Sequence, residues 1–202
     1  MKVNWLFGSL ALVLLATAVI PAPGAEEKEK KKPRVEEIEQ TIILADKGDP
    51  VAQCALGARF EAGRGVIRDV EQAVKWYRKA AEQGDALGQY SLGACYENGR
   101  GVKKDAAEAV EWYTKAATQE CARAQFNLAA CYADGRGVGE DRLQAHAWYT
   151  RALLNHYEPA KKALARLERQ MPRDQRAQAR KAAALLRKEK DTPPPKPAPP
   201  AP

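Results

Sequence analysis

Three Trp-Tyr pairs, Trp76-Tyr77, Trp112-Tyr113 and Trp148-Tyr149, stand 36 residues apart, and most of the chain from Asp49 to His156 keeps the same phase. Gly63, Gly99 and Gly135 correspond, as do Gly65, Gly101 and Gly137, and Asp69, Asp105 and Asp141. A fixed period of this length marks a solenoid, in which one unit is too small to bury its apolar face except against its neighbours. Function in such a chain is to be sought on a surface rather than in a pocket.

Each unit reads as two antiparallel helices. Gly48-Asp49-Pro50 combines a helix stop, an N-cap carboxylate and a proline at the first helical position, where the missing N–H costs nothing. Ala52, Leu56, Gly57 and Phe60 then fall at helical spacing. Gly57 recurs as Gly93, with Ala129 as the third counterpart. Mid-helix glycine is worse than alanine by up to about 1 kcal/mol, so its presence predicts a close helix approach. The turn Gly63-Arg64-Gly65-Val66 returns as Gly99-Arg100-Gly101-Val102 and Gly135-Arg136-Gly137-Val138, supplying the positive φ angles that stop a helix and a valine that folds back on the core. Asp69 with Gln72, Asp105 with Glu108 and Asp141 with Gln144 read as capping boxes. Ala73, Trp76, Tyr77, Ala80 and Ala81 form the apolar stripe of the second helix.

Leu56-Gly57, Phe60, the Gly-Arg-Gly-Val turn, Asp69, Ala73, Trp76-Tyr77, Lys79-Ala80-Ala81 and Gly84-Asp85 resemble the Sel-one-like repeat, a cousin of the tetratricopeptide repeat. The resemblance covers residues 49–156 as three repeats, 49–84, 85–120 and 121–156. It implies an all-α, right-handed α-solenoid of stacked antiparallel helix pairs, used mainly for protein–protein contact and assembly. The third unit departs from the pattern: Glu120-Cys121 replaces the Gly-Asp of 84–85, and Leu153-Leu154 follows Ala152. Residues 35–48 align with the second helix of a repeat and read as an N-terminal cap. Residues 157–190, with Ala160, Ala163, Leu164 and Leu167 and then Pro172, Ala184, Leu185 and Leu186, read as two C-terminal capping helices.

The ends have a different composition. Lys2, the apolar run from Trp5 to Ile20, and the small residues Ala16-Thr17-Ala18 or Ala22-Pro23-Gly24 read as a secretory signal peptide over residues 1–25. The run is short of the roughly 20 apolar residues of a spanning helix. A periplasmic or secreted protein is expected. Lys28, Lys30, Lys31, Lys32 and Arg34 just downstream oppose translocation, so an uncleaved inner-membrane anchor is the alternative. Residues 26–34 read as a charged disordered linker, and the prolines and alanines of 191–202 as a disordered polyproline tail.

Catalytic chemistry is sparse. Beyond the signal Ser91 is the single serine, and Leu92, Gly93 and Ala94 follow it, so no Ser-x-x-Lys arrangement exists. His146 takes the core position of Val74 and Val110, and His156 falls in a loop. No catalytic residue, cofactor or metal is predicted. Some cysteine-rich relatives of the family are labelled β-lactamases, which makes a cell-wall-acting or β-lactamase-like hydrolase the alternative. Cys95 and Cys131 are equivalent positions on successive helices, which run about 8–10 Å apart, whereas a disulfide needs Cα atoms within about 7 Å. Cys54, Cys95, Cys121 and Cys131 are therefore expected to pack rather than bridge, with Cys121, at a helix start, the most exposed.

The formal net charge is +7, and the excess is local: eleven Lys or Arg stand against three acids between Lys161 and Lys190. Aromatics are not interleaved with them, which argues against nucleic acid. Residues 161–190 read as a solvated capping face, with contact to a membrane or cell-wall polymer as the other use.

With Leu56-Gly57 as the fixed point, resemblance to the tetratricopeptide pattern places Val51, Cys54, Ala58 and Glu61 on the concave face of the first unit. The second contributes Leu87, Tyr90, Ala94 and Glu97, and the third Arg123, Phe126, Ala130 and Asp134. Cys54, Tyr90 and Phe126 then form an apolar ridge suited to an extended or helical peptide, unless these side chains merely pack between helices. The expected function is an exported, non-enzymatic adaptor for a protein or peptide partner.

Overall fold

The computed structural model describes residues 35–191. The signal and linker readings lie outside the described residues, as does the tail reading from Thr192 on, while its first residue, Asp191, ends the last helix. Among those described there are nine helices and no strand: α1 (Val35–Asp46), α2 (Pro50–Ala62), α3 (Val70–Glu82), α4 (Ala86–Asn98), α5 (Ala106–Thr118), α6 (Ala122–Asp134), α7 (Arg142–Leu154), α8 (Pro159–Gln170) and α9 (Arg173–Asp191). The pairs α2–α3, α4–α5 and α6–α7 are the repeat hairpins; α3–α4 and α5–α6 contacts stack them, and α1 covers α2.

Helix ends follow local chemistry. Asp49 accepts from Ala52 N at 2.7 Å, and Asp85 from Gly88 N at 2.6 Å. Gly63, Gly99 and Gly135 close α2, α4 and α6 at φ 65°, 69° and 66°, each donating its N–H to a carbonyl of the last turn. Only half of each expected capping box forms. Asp69 caps Gln72 N at 2.9 Å, and Asp105 and Asp141 cap Glu108 N and Gln144 N at 3.0 and 2.9 Å. Their own backbone N–H groups, however, donate to Phe60, Tyr96 and Tyr132 carbonyls at 3.0, 2.9 and 2.9 Å. That cross-helix bond removes the need for a return contact, and Glu108 instead accepts from Trp112 Nε1 at 2.8 Å.

Within each Trp-Tyr pair the tyrosine is the more deeply buried residue, although Trp112 is also buried in the core. Tyr77, Tyr113 and Tyr149 are 2%, 0% and 2% exposed. A Cβ on Gly57 would sit 2.7 Å from Tyr77 Cδ1, and one on Gly93 2.9 Å from Tyr113 Cδ1, so these glycines make room for a ring. Trp76 and Trp112 carry Lys79 and Lys115 over their rings at 4.0 and 3.9 Å, and Trp148 carries Arg151 at 4.8 Å. Buried Gln53, Gln89 and Gln125, also 36 residues apart, lie on α2, α4 and α6.

The junction at Glu120-Cys121 keeps its backbone geometry without the residues that favour it. Glu120 has φ 62° and His156 φ 61°, at the stations where Gly48 and Gly84 have 96° and 92°. Cys121 occupies the N-cap of α6 but makes no side-chain capping bond.

Both ends close differently from the repeats. In α1, Glu37 and Thr41 hold the stations where Ala73 and Tyr77 are buried in α3, giving the terminal helix a polar face. Only Met171 and Pro172 separate α8 from α9, and α9 packs on α7 rather than back onto α8. Its buried residues are Ala179 and Ala183, while Leu185 stays exposed.

Candidate functional site

The face formed by α2, α4 and α6 brings the expected positions into register. Val51 and Leu87, on equivalent stations of neighbouring repeats, are 65% and 54% exposed. Ala58 and Arg123 are also exposed, while Cys54, Tyr90, Ala94, Phe126 and Ala130 are half-buried. The aromatic residues serve the core as well as the surface. Tyr90 lies 6.0 Å from Tyr113, and Phe126 stands 5.3 Å from Tyr149 and 5.2 Å from Tyr157, between ring centroids. Cys54 is a thiol at neutral pH, because burial, and then Asp85, push its pKa up to about 12. Burial likewise raises Cys95 and Cys131 to about 11, and all four cysteines are free.

Glu61 and Glu97 are engaged within the stack. Tyr77 donates its hydroxyl to Glu61 at 2.8 Å, and Arg100 from the turn of the next repeat pairs with the same carboxylate. Tyr113 donates to Glu97 at 2.7 Å, and Arg136 pairs with Glu97. Arg100 and Arg136, from the second and third Gly-Arg-Gly turns, thus reach back 39 residues to fasten the preceding repeat. Asp134 belongs to a different station. The residue 36 positions after Glu97 is Ala133, and Asp134 instead meets Arg136 at 3.4 Å. Asp134 is one residue out of phase with Glu61 and Glu97, and the third repeat has no carboxylate at their station.

Beside this station lies an open cleft of about 420 Å³, bordered by Phe126, Ala130 and Tyr149 on one side and by Lys162 and Arg166 of α8 on the other. The sequence did not mark Lys162 and Arg166 out from the surrounding basic residues. Other cations nearby hold the cap together. Arg180 donates to Glu168 at 2.6 Å, Glu168 meets buried His146 at 3.0 Å, and Arg176 donates to the Met171 carbonyl at 3.0 Å. Among the described residues no group of three His, Cys, Asp or Glu side chains converges to hold a metal, and no helix is long and apolar enough to cross a membrane.

The chain belongs to the Sel1 repeat family, whose repeat matches residues 50–85, 86–121 and 122–156. It is similar to a Sel1 repeat protein from Oxalobacter formigenes at 38% identity and a TM-score of 0.59, over 64% of this chain and 98% of that one. A protective antigen of uropathogenic Escherichia coli with an SLR fold is 33% identical at a TM-score of 0.64, over 74% of this chain; the match spans 33% of the antigen. Cysteine rich protein B of Helicobacter pylori is 25% identical at a TM-score of 0.52, over 65% of this chain and 97% of that one. None of the curated proteins matches the chain. Proteins built on these repeats are generally protein-interaction scaffolds.

Proposed function

We propose that the protein is an exported, non-enzymatic scaffold that binds a peptide segment of a partner protein across the face of α2, α4 and α6. The observation that carries this reading is the exposure of Val51 and Leu87 on equivalent stations of two neighbouring repeats, with half-buried Cys54, Tyr90 and Phe126 on the same helices and Arg123 at the third station. Apolar side chains repeated on one helix face are what helix-in-groove and extended-peptide recognition use. Export rests on the apolar run from Trp5 to Ile20 and the small residues after it.

Val51 and Leu87 are the informative positions to change, because Tyr90 and Phe126 also support the core. In crosslinking capture from the native organism, Val51→Ser with Leu87→Ser is expected to retain helicity and thermal midpoint and to lose the partners recovered by wild type. Undiminished recovery by the folded double variant overturns the assignment of this face. Intact-mass measurement of the native protein tests export, with a mature N-terminus expected between Val19 and Glu26 and retention of residues 1–18 contradicting it.

A further inference from the structure

The contact between tyrosine, glutamate and arginine is made twice and then stops. Tyr77 and Tyr113 each give their hydroxyl to a carboxylate that an arginine from the turn of the following repeat also holds. At the third station the tyrosine is present as Tyr149, but Ala133 stands where Glu61 and Glu97 stand. Pro172 falls in phase with Arg100 and Arg136, and the short Met171-Pro172 turn presents no arginine there. Positive charge comes instead from Lys162 and Arg166, one turn apart on α8 and lining the same cleft as Tyr149.

Three observations bear on what this cleft accepts. Among the described residues the Tyr149 hydroxyl meets no hydrogen-bond partner, unlike its two counterparts. Neither Lys162 nor Arg166 enters an ion pair there, while Arg136 and Asp134, which line the same cleft, pair with each other at 3.4 Å and Arg136 also pairs with Glu97. Phe126, wedged between Tyr149 and Tyr157, supplies an apolar wall. A hydroxyl donor and two uncompensated cations beside an aromatic wall match a carboxylate attached to an apolar chain.

We propose that this cleft binds an acidic side chain of the partner peptide, which takes toward Tyr149, Lys162 and Arg166 the place that Glu61 takes toward Tyr77 and Arg100. The inference rests on the peptide-scaffold reading and adds the chemistry of the partner: a glutamate or aspartate flanked by apolar residues. Loss of one charge-assisted hydrogen bond of this kind weakens binding by roughly tenfold or more.

Ala133→Glu is the decisive variant, because it returns the chain's own carboxylate to the station. Fluorescence anisotropy with a short blocked peptide of leucine, alanine and glutamate measures binding, and a lysine-for-glutamate version is the control. The acidic peptide is expected to bind wild type and the lysine version not to bind. Ala133→Glu should keep or raise the thermal midpoint while binding the acidic peptide at least about tenfold more weakly. Lys162→Gln with Arg166→Gln, both exposed positions, should weaken binding and flatten its salt dependence. Equal binding to wild type and Ala133→Glu overturns the proposal, as does equal binding of the lysine peptide. So does binding that requires a free C-terminal carboxylate on the peptide. If the acidic peptide fails to bind while Val51→Ser with Leu87→Ser still abolishes partner capture, the cleft assignment falls and the scaffold reading stands.

Discussion

Gln89 Oε1 accepts a 2.8 Å hydrogen bond from Gln119, 30 residues away, while Gln89 Nε2 donates to the Ala81 carbonyl at 3.2 Å. One buried amide thus satisfies a carbonyl near the end of α3 and fastens the end of α5. Gln53 does the same with Ala45 and Gln83 at 3.1 and 2.7 Å, and Gln125 with Ala117 and Asn155 at 3.1 and 3.0 Å.

Replacing Gln89 by leucine keeps the volume and removes both bonds, while the Ala81 carbonyl keeps the Gly84 N–H at 3.0 Å. Urea unfolding should show a loss of roughly 1–3 kcal/mol, the sum of two ordinary hydrogen bonds at about 0.5–1.5 kcal/mol each. A loss below about 0.5 kcal/mol would mean the amide ladder does not hold the stack.

Gly137 and Gly139 form a matched pair for testing the turn. Gly137 has φ 72°, and a Cβ there would collide with the Ala106 carbonyl oxygen, against backbone that cannot move aside cheaply. Gly137→Ala should cost about 3 kcal/mol or more, combining left-handed strain with overpacking. Gly139 has no atom within 4 Å of its ideal Cβ, so Gly139→Ala should be neutral or stabilising by up to about 1 kcal/mol. Similar thermal melts for the two variants would contradict this account of the turn.

The irregular junction should be improvable. Glu120 holds φ 62° at a cost of about 1–2 kcal/mol for a non-glycine residue, so Glu120→Gly is expected to stabilise modestly after its greater unfolded-state entropy is subtracted. Cys121→Asp should add about 1 kcal/mol by capping Ala124 N as Asp49 and Asp85 cap their helices. A double variant no more stable than wild type in calorimetry would show that the junction is not limited by its backbone and cap.

Acid should loosen the C-terminal cap through Glu168. Hydrogen bonds from Arg180, and then His146, hold its carboxyl down at about 2 against an ordinary value of 4.5. A depressed carboxylate contributes stability above its unfolded pKa and loses it as pH falls through the window from 4.5 toward about 2. Glu168→Gln should therefore be less stable than wild type at neutral pH, with the difference shrinking across that window. A difference that stays constant with pH would remove the carboxylate from the explanation.

The period, the helix boundaries and the turns were readable because each is recorded by a residue type acting on its own backbone. Gly63 and Gly65 permit positive φ, Asp49 and Asp69 offer oxygens to nearby N–H groups, and Pro50 starts a helix. The reciprocal half of the capping boxes was not readable, since Asp69 N finds Phe60 O only after the two helices pack. The Gln53, Gln89 and Gln125 spacing was in plain view, but a polar residue at a repeated station does not reveal whether it is buried.

The sequence by itself determined a stack of helix pairs and which helix face repeats, because local conformational preferences recur every 36 residues. Tertiary structure alone decided that the three tyrosines are buried more deeply than their tryptophan neighbours, and that Glu61 and Glu97 serve the stack. It also decided that α9 crosses onto α7, and that Phe126, Ala130 and Tyr149 face Lys162 and Arg166 of α8 across a cleft. Those outcomes depend on groups between 16 and 39 residues apart, which meet only when neighbouring repeats bury each other's faces.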